Sequence, residues 1–150
     1  MAGVRFRASS GEQALGAGVA ETVLQVVAAA NHRAKITELC VTFKGVLATD
    51  TPVNVKIWRQ TGAGTSAAAT VNKENDSDDE TLQTTARNAF SAEPATDDAL
   101  LDEFLVHPQT GMKQFFPLSQ EIPVKGGNRV GIKCTAAQAQ TVVVSLAGDE

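Results

Sequence analysis

Apolar and polar residues alternate with a period of two in several short segments of this chain, and no amphipathic helix of roughly 10–15 residues separates them. The clearest case is Val53 to Arg59, where Val53, Val55 and Ile57 point one way and Asn54, Lys56 and Trp58 the other. That puts the single Trp on the wetter face. The same alternation recurs near the end: Val130, Ile132 and Cys134 oppose Gly131, Lys133 and Thr135, and Val142, Val144 and Leu146 repeat the pattern after Gln138-Ala139-Gln140. Gln120 to Leu146 therefore reads as a half-buried β-hairpin, entered through the glycine turn Lys125-Gly126-Gly127-Asn128.

Eight strands are predicted: Thr22 to Ala28, Lys35 to Phe43, Val53 to Arg59, Glu103 to His107, Lys113 to Leu118, Glu121 to Val124, Arg129 to Ala136 and Thr141 to Ala147. Turn residues separate them, such as Asp50-Thr51-Pro52 and Pro108-Gln109-Thr110-Gly111. Short strands without intervening helices predict an all-β chain, a single antiparallel β-sandwich or jelly roll. Two strands break the rule. In Thr22 to Ala28, Leu24 and Val26 oppose Val23 and Val27; in Lys35 to Phe43, Leu39, Val41 and Phe43 oppose Ile36 and Cys40. Strands apolar on both faces need a cover on both, which a second subunit supplies most simply.

Residues 1–20 hold four glycines and no period, so they read as a flexible N-terminal arm ahead of a sandwich domain over 21–150. Within the arm, Val4 and Phe6 alternate with Arg5 and Arg7, like a strand awaiting a sheet edge or an acidic partner. Between Thr61 and Asp98 the pattern weakens, with short strands expected near Ala68 to Asn72 and Thr84 to Phe90.

A chain of 150 residues matches one domain at roughly 100–200 residues each. Its net charge of −4 comes from Asn72 to Glu80, and the remainder is neutral. Neither a nucleic-acid footprint nor a polybasic membrane patch is left. The N-terminus lacks a signal-peptide core and Val23 to Ala30 is too short to span a bilayer, so synthesis in the cytosol is expected, with Cys40 and Cys134 as free thiols.

Candidate chemistry is thin. Asp76-Ser77-Asp78-Asp79-Glu80 has the acids of a calcium loop, but an EF-hand count from Asp76 puts Thr81 and Arg87 where Gly and Glu belong. Gly62-Ala63-Gly64-Thr65-Ser66 lacks the lysine of a phosphate cradle. His32 and His107 are too scattered to make a zinc site with Cys40 or Cys134, and a Cys-His dyad would have to come from the fold. Asp97-Asp98 and Asp102-Glu103 are adjacent acids, a pattern of exposed faces more than of an acid and base across a cleft. With no Tyr and one Trp, stacking platforms are poorly supplied, and Phe115 and Phe116 are assigned to the core or a subunit contact. No catalytic, cofactor or metal site is expected, and the chain does not read as an enzyme.

Glu21 to Val26, Ile36 to Phe43 with Lys44-Gly45, Pro52 to Arg59, Phe115-Phe116-Pro117-Leu118 and Gly126 to Ala136 together resemble the jelly-roll decoration (cement) proteins of tailed-phage heads. The resemblance implies a homotrimer on the capsid exterior of a virion, made in the host cytoplasm, that binds major capsid protein subunits and stabilises the lattice. With the patterns above, it makes Val4, Arg5, Phe6 and Arg7 the expected capsid contact and Leu24, Val26, Leu39, Val41 and Phe43 the expected trimer interface. A phage tail or baseplate protein is the alternative, followed by a carbohydrate-binding sandwich with Trp58 as its support.

Overall fold

Period-two alternation forces strands, and strands with one apolar face must bury it against another sheet. The computed structural model describes residues 3–45, 51–75 and 80–150, apart from the side chains of 97 and 98. The strands among these residues are β1 (Arg5–Ser9), β2 (Gln13–Leu15), β3 (Ala20–Val27), β4 (Ala34–Lys44), β5 (Val53–Gln60), β6 (Thr65–Ala68) and β7 (Thr70–Lys73). They continue with β8 (Thr85–Ala92), β9 (Thr96–Val106), β10 (Met112–Phe115), β11 (Ile122–Val124), β12 (Arg129–Thr135) and β13 (Gln140–Asp149). No helix occurs among the described residues.

Two antiparallel sheets result. A seven-stranded sheet runs β10-β4-β13-β1-β7, with β11 also on β4 and β2 also on β13; a six-stranded sheet runs β6-β8-β3-β12-β5-β9. Their inner faces meet in one core that includes Phe6, Leu24, Val26, Ile36, Leu39, Val41, Ile57, Ile132 and Leu146. Val55, Val130, Val142 and Val144 are fully buried in it as well. The chain is an all-β sandwich.

β12 and β13 do not form the expected hairpin. β12 lies between β3 and β5 in one sheet, whereas β13 lies between β4 and β1 in the other. An apolar face alternates identically whether its partner strand sits beside it or across the core, so periodicity alone cannot separate the two arrangements.

The strands that read as apolar on both faces are bulged. Along β3 and β12, Ile132 pairs with Leu24 but Lys133 pairs with Thr22, which leaves Val23 as the extra residue; along β4 and β13, Ala147 pairs with Glu38 but Gly148 pairs with Ile36, which leaves Thr37. One extra residue shifts the phase of alternation, so Val23 joins Leu24 and Val26 inside, and Ile36 shares the core with Leu39 and Val41. No second subunit is needed to cover them.

Residues 1–20 are not a detached arm where they are described. β1 is hydrogen-bonded on both sides, to β13 and β7, and Val4, Phe6 and Ala8 are buried. Phe6 faces Gly148, where an added Cβ would come within 2.8 Å of its Cζ, so the missing side chain makes room for the ring. Its long-range partner hides the strand from sequence, since β13 begins 131 residues after β1 ends. The weak region carries β6, β7 and β8, near the two strands expected there.

Candidate interaction face

With Phe6 and Ala8 turned into the core, strand alternation sends Arg5 and Arg7 to the outer face of the seven-stranded sheet. Arg7 pairs across to Ala147, and Ala147 pairs in turn with Glu38. The small alanine lets Arg7 reach over β13, and its Nη1 lies 3.2 Å from Glu38 Oε1. Lys113 approaches the same Oε1 from β10 at 3.0 Å. Just past β7, Glu74 receives Arg5 Nη2 at 2.9 Å and Arg7 Nε at 2.5 Å. A ladder Arg5–Glu74–Arg7–Glu38–Lys113 thus crosses the sheet, ending where Lys113 Nζ sits 4.9 Å from the centre of the Phe115 ring.

Glu38 is its centre. Only 7% of the residue is exposed. Burial by itself would raise its carboxyl pKa, but hydrogen bonds and charge from Lys113 and Arg7 outweigh that and hold it below the usual carboxylate value. Arg7 is shifted the other way: its hydrogen bond to Glu38 raises its pKa, so it keeps its proton to still higher pH.

Large apolar side chains are exposed along one pair of edge strands. β7 packs near β8 on one side of the sandwich, so the edge strands β9 and β10 fall together on the other. On β9, Leu105 is 73% exposed and Leu100 39%, on the outer face of the six-stranded sheet opposite Asn54 and Trp58; Phe115 of β10, 60% exposed, is opposite Glu38 on the outer face of the seven-stranded sheet, and Leu118 just beyond it is 89% exposed.

The outer face of the six-stranded sheet is built differently. Gln60 folds over Gly131, where a side chain would collide with its amide. From there Gln60 Nε2 donates to Thr22 Oγ1 at 3.1 Å, and Gln25 Nε2 donates to Gln60 Oε1 at 2.8 Å. Thr22 Oγ1 donates to Glu93 at 2.7 Å, and Glu93 is paired with Lys133 at 3.2 Å. Trp58, opposite Gly131 on this face, is half-buried.

The expected site residues separate into two groups. Arg5 and Arg7 stand outward in the ladder, but Val4 and Phe6 are buried and so unavailable to a partner. Leu24, Val26, Leu39 and Val41 are buried in the chain's own core and Phe43 packs against it, which corrects their assignment to a trimer interface. The bulges explain the misreading. Cys134 is buried and its thiol pKa is pushed up to about 12 by burial, so it is no nucleophile; Cys40 is half-buried beside the ladder, opposite Lys113. Asp102 accepts from the Glu103 backbone N–H, while Glu103 is held by Asn54 and Lys56. Asp50, the acids Asp76, Asp78 and Asp79, and the side chains of Asp97 and Asp98 lie outside the described residues. Among the described residues no three His, Cys, Asp or Glu side chains gather as a metal site, and no helix is long and apolar enough to cross a membrane.

Sequence reasoning missed Glu38, Glu74 and Lys113. One signal was present: Glu38 interrupts an otherwise apolar strand, and a carboxylate there requires cations over it. Which cations they were depended on the pairing of β4 with β13 and β10. No family model, no curated protein and no solved structure matches the chain.

Proposed function

We propose that the chain is a virion structural protein that decorates and stabilises a tailed-phage capsid, binding major capsid protein subunits as a homotrimer. The observation that carries this reading is that Leu100, Leu105, Phe115 and Leu118 stand exposed on or next to the edge strands β9 and β10. Large apolar side chains concentrated at free edges fit a surface covered by further copies of the chain. The proposed trimer contact therefore runs through these four residues instead of the strands first expected. The strand order supports a jelly-roll winding: β1, β13, β4 and β10 alternate in one sheet opposite β3, β12, β5 and β9 in the other. The charge ladder, with Arg5 and Arg7 outward, is the proposed capsid-facing surface.

Sedimentation equilibrium tests the assembly. Wild type is expected at three times the 15.7 kDa chain mass, and Leu105→Glu with Phe115→Glu at the mass of one chain with its β circular dichroism retained. A concentration-independent wild-type monomer at micromolar concentration overturns the trimer. Co-sedimentation with assembled heads, from the phage whose major capsid gene neighbours this one, tests attachment. Absence of the protein from the head pellet overturns the capsid role.

A further inference from the structure

A second surface, away from the β9–β10 side, has the makings of a ligand site. A cleft of about 320 Å³ opens on the outer face of the six-stranded sheet, between the segment that carries Ala63 to Ser66 and strands β8, β3 and β12. That volume is at the lower end of small-molecule pockets, which hold roughly 300–1,000 Å³. Register brings its charged residues together: Arg87 pairs with Gln25, and Arg129 pairs with Val27 two residues along β3. Two strand spacings and two residues separate the arginine Cα atoms by about 12 Å, a gap that two extended side chains can close over Val27. No Asp or Glu lines the cleft, and neither arginine has an ion pair or hydrogen bond among the described residues. In a chain of net charge −4 this is a local concentration of uncommitted positive charge.

The floor is polar and fixed. Gln25 is fully buried, and its Nε2 is held by Gln60 Oε1 and by the carbonyl of Gly62 at 3.3 Å. A backbone carbonyl can only accept, so the orientation of the amide is set and Oε1 is the atom that has no hydrogen-bond partner. Hydroxyls of Thr65, Ser66 and Thr85 line the walls, and Val27 supplies one apolar surface. The wall is anchored as well: Thr61 and Gly62 donate to Ala95 O, and Ala69 donates to Ala86 O.

We infer that this cleft binds an acidic sugar, a monosaccharide unit whose carboxylate is taken by Arg87 and Arg129 and whose hydroxyls exchange hydrogen bonds with the walls at Thr65, Ser66 and Thr85, over a floor fixed by Gln25. A guanidinium pair selects an oxyanion; the neutral donors and acceptors around it select a polyhydroxylated carrier over a bare carboxylate. The inference does not depend on the capsid reading.

Titration of the full-length chain with galacturonate, followed by amide chemical shifts, tests it. Saturable shifts are expected at residues around the cleft. Arg87→Gln and Arg129→Gln should each weaken binding at least tenfold with an unchanged melting temperature, because neither guanidinium is paired within the fold, while Lys44→Gln on β4 of the opposite sheet should leave binding intact. Galactose and acetate should not saturate the site. An oligogalacturonide arm separates the sources: tighter binding than the monosaccharide assigns the site to one unit of a polymer, and equal binding assigns it to a free sugar. Failure of both acids to saturate, saturation by acetate with equal affinity, or indifference to both arginine variants would overturn the inference.

Discussion

The two outer faces of the sandwich answer the same problem with different chemistry. Each has polar side chains buried against a sheet whose other side is core. On the seven-stranded sheet the solution is ionic: Glu38 lies under Arg7 and Lys113, and Glu74 ties Arg5 to Arg7. On the six-stranded sheet it is mainly amide chemistry, in which Gln25, Gln60 and Thr22 satisfy one another over a glycine and charge enters only at Glu93 and Lys133. A carboxylate under cations titrates, whereas an amide network does not. The first face is therefore the more open to pH and salt, and the second depends mainly on geometry.

The contrast can be broken most severely from beneath the ladder. Phe6 anchors the strand that carries Arg5 and Arg7, so Phe6→Ala should cost about 3–5 kcal/mol in denaturant unfolding and dissolve the ionic face with it. If instead the midpoint is unchanged, β1 does not contribute to the fold. On the amide face the corresponding break is Gly131→Ala, whose methyl would displace Gln60 and break its hydrogen bonds with Gln25 and Thr22. A loss of about 1–3 kcal/mol is expected, with no change in the acid limb of the stability profile.

A pH series sharpens the distinction. The folded-state pKa of Glu38 is lowered, so its contribution is present above the unfolded value, near 4.5, and disappears as pH falls through the folded value. Unfolding midpoints measured from pH 6 to pH 3 should drop more steeply for wild type than for Glu38→Gln. Equal slopes would mean that the ladder is not coupled to folding. Glu103, lowered chiefly by its hydrogen bond from Asn54, is exposed on β9, and Glu103→Gln should flatten the same limb by the smallest amount of all.

Fold class was legible because one-residue alternation survives in β5, β12 and β13, and no competing helical period exists. Pairing was not. Val130 and Val142 carry the same signal whether their strands are neighbours or face each other, and only the sheet order separates the cases. Bulges defeated the reading of β3 and β4, since a single inserted residue turns one apolar face into an apparent pair. Arg5 and Arg7 were picked out as outward and basic, but their acidic partners come from this chain, at Glu38 and Glu74. No local pattern around Arg7 announces a partner 31 residues away.

β1 and β13 also determine when the fold can close during synthesis. Arg5 pairs with Asp149, and Val4 and Glu150 exchange backbone hydrogen bonds, so β1 waits for a strand made long after it. At roughly 5–20 residues per second a ribosome needs on the order of 10–30 s to cover that separation. Through that interval Phe6 has no β13 to lie against, and the β13 slot between β1 and β4 stays empty. Completion of the sheet then waits until β13 has emerged, and a ribosome slowed before that point holds this protein with its core open.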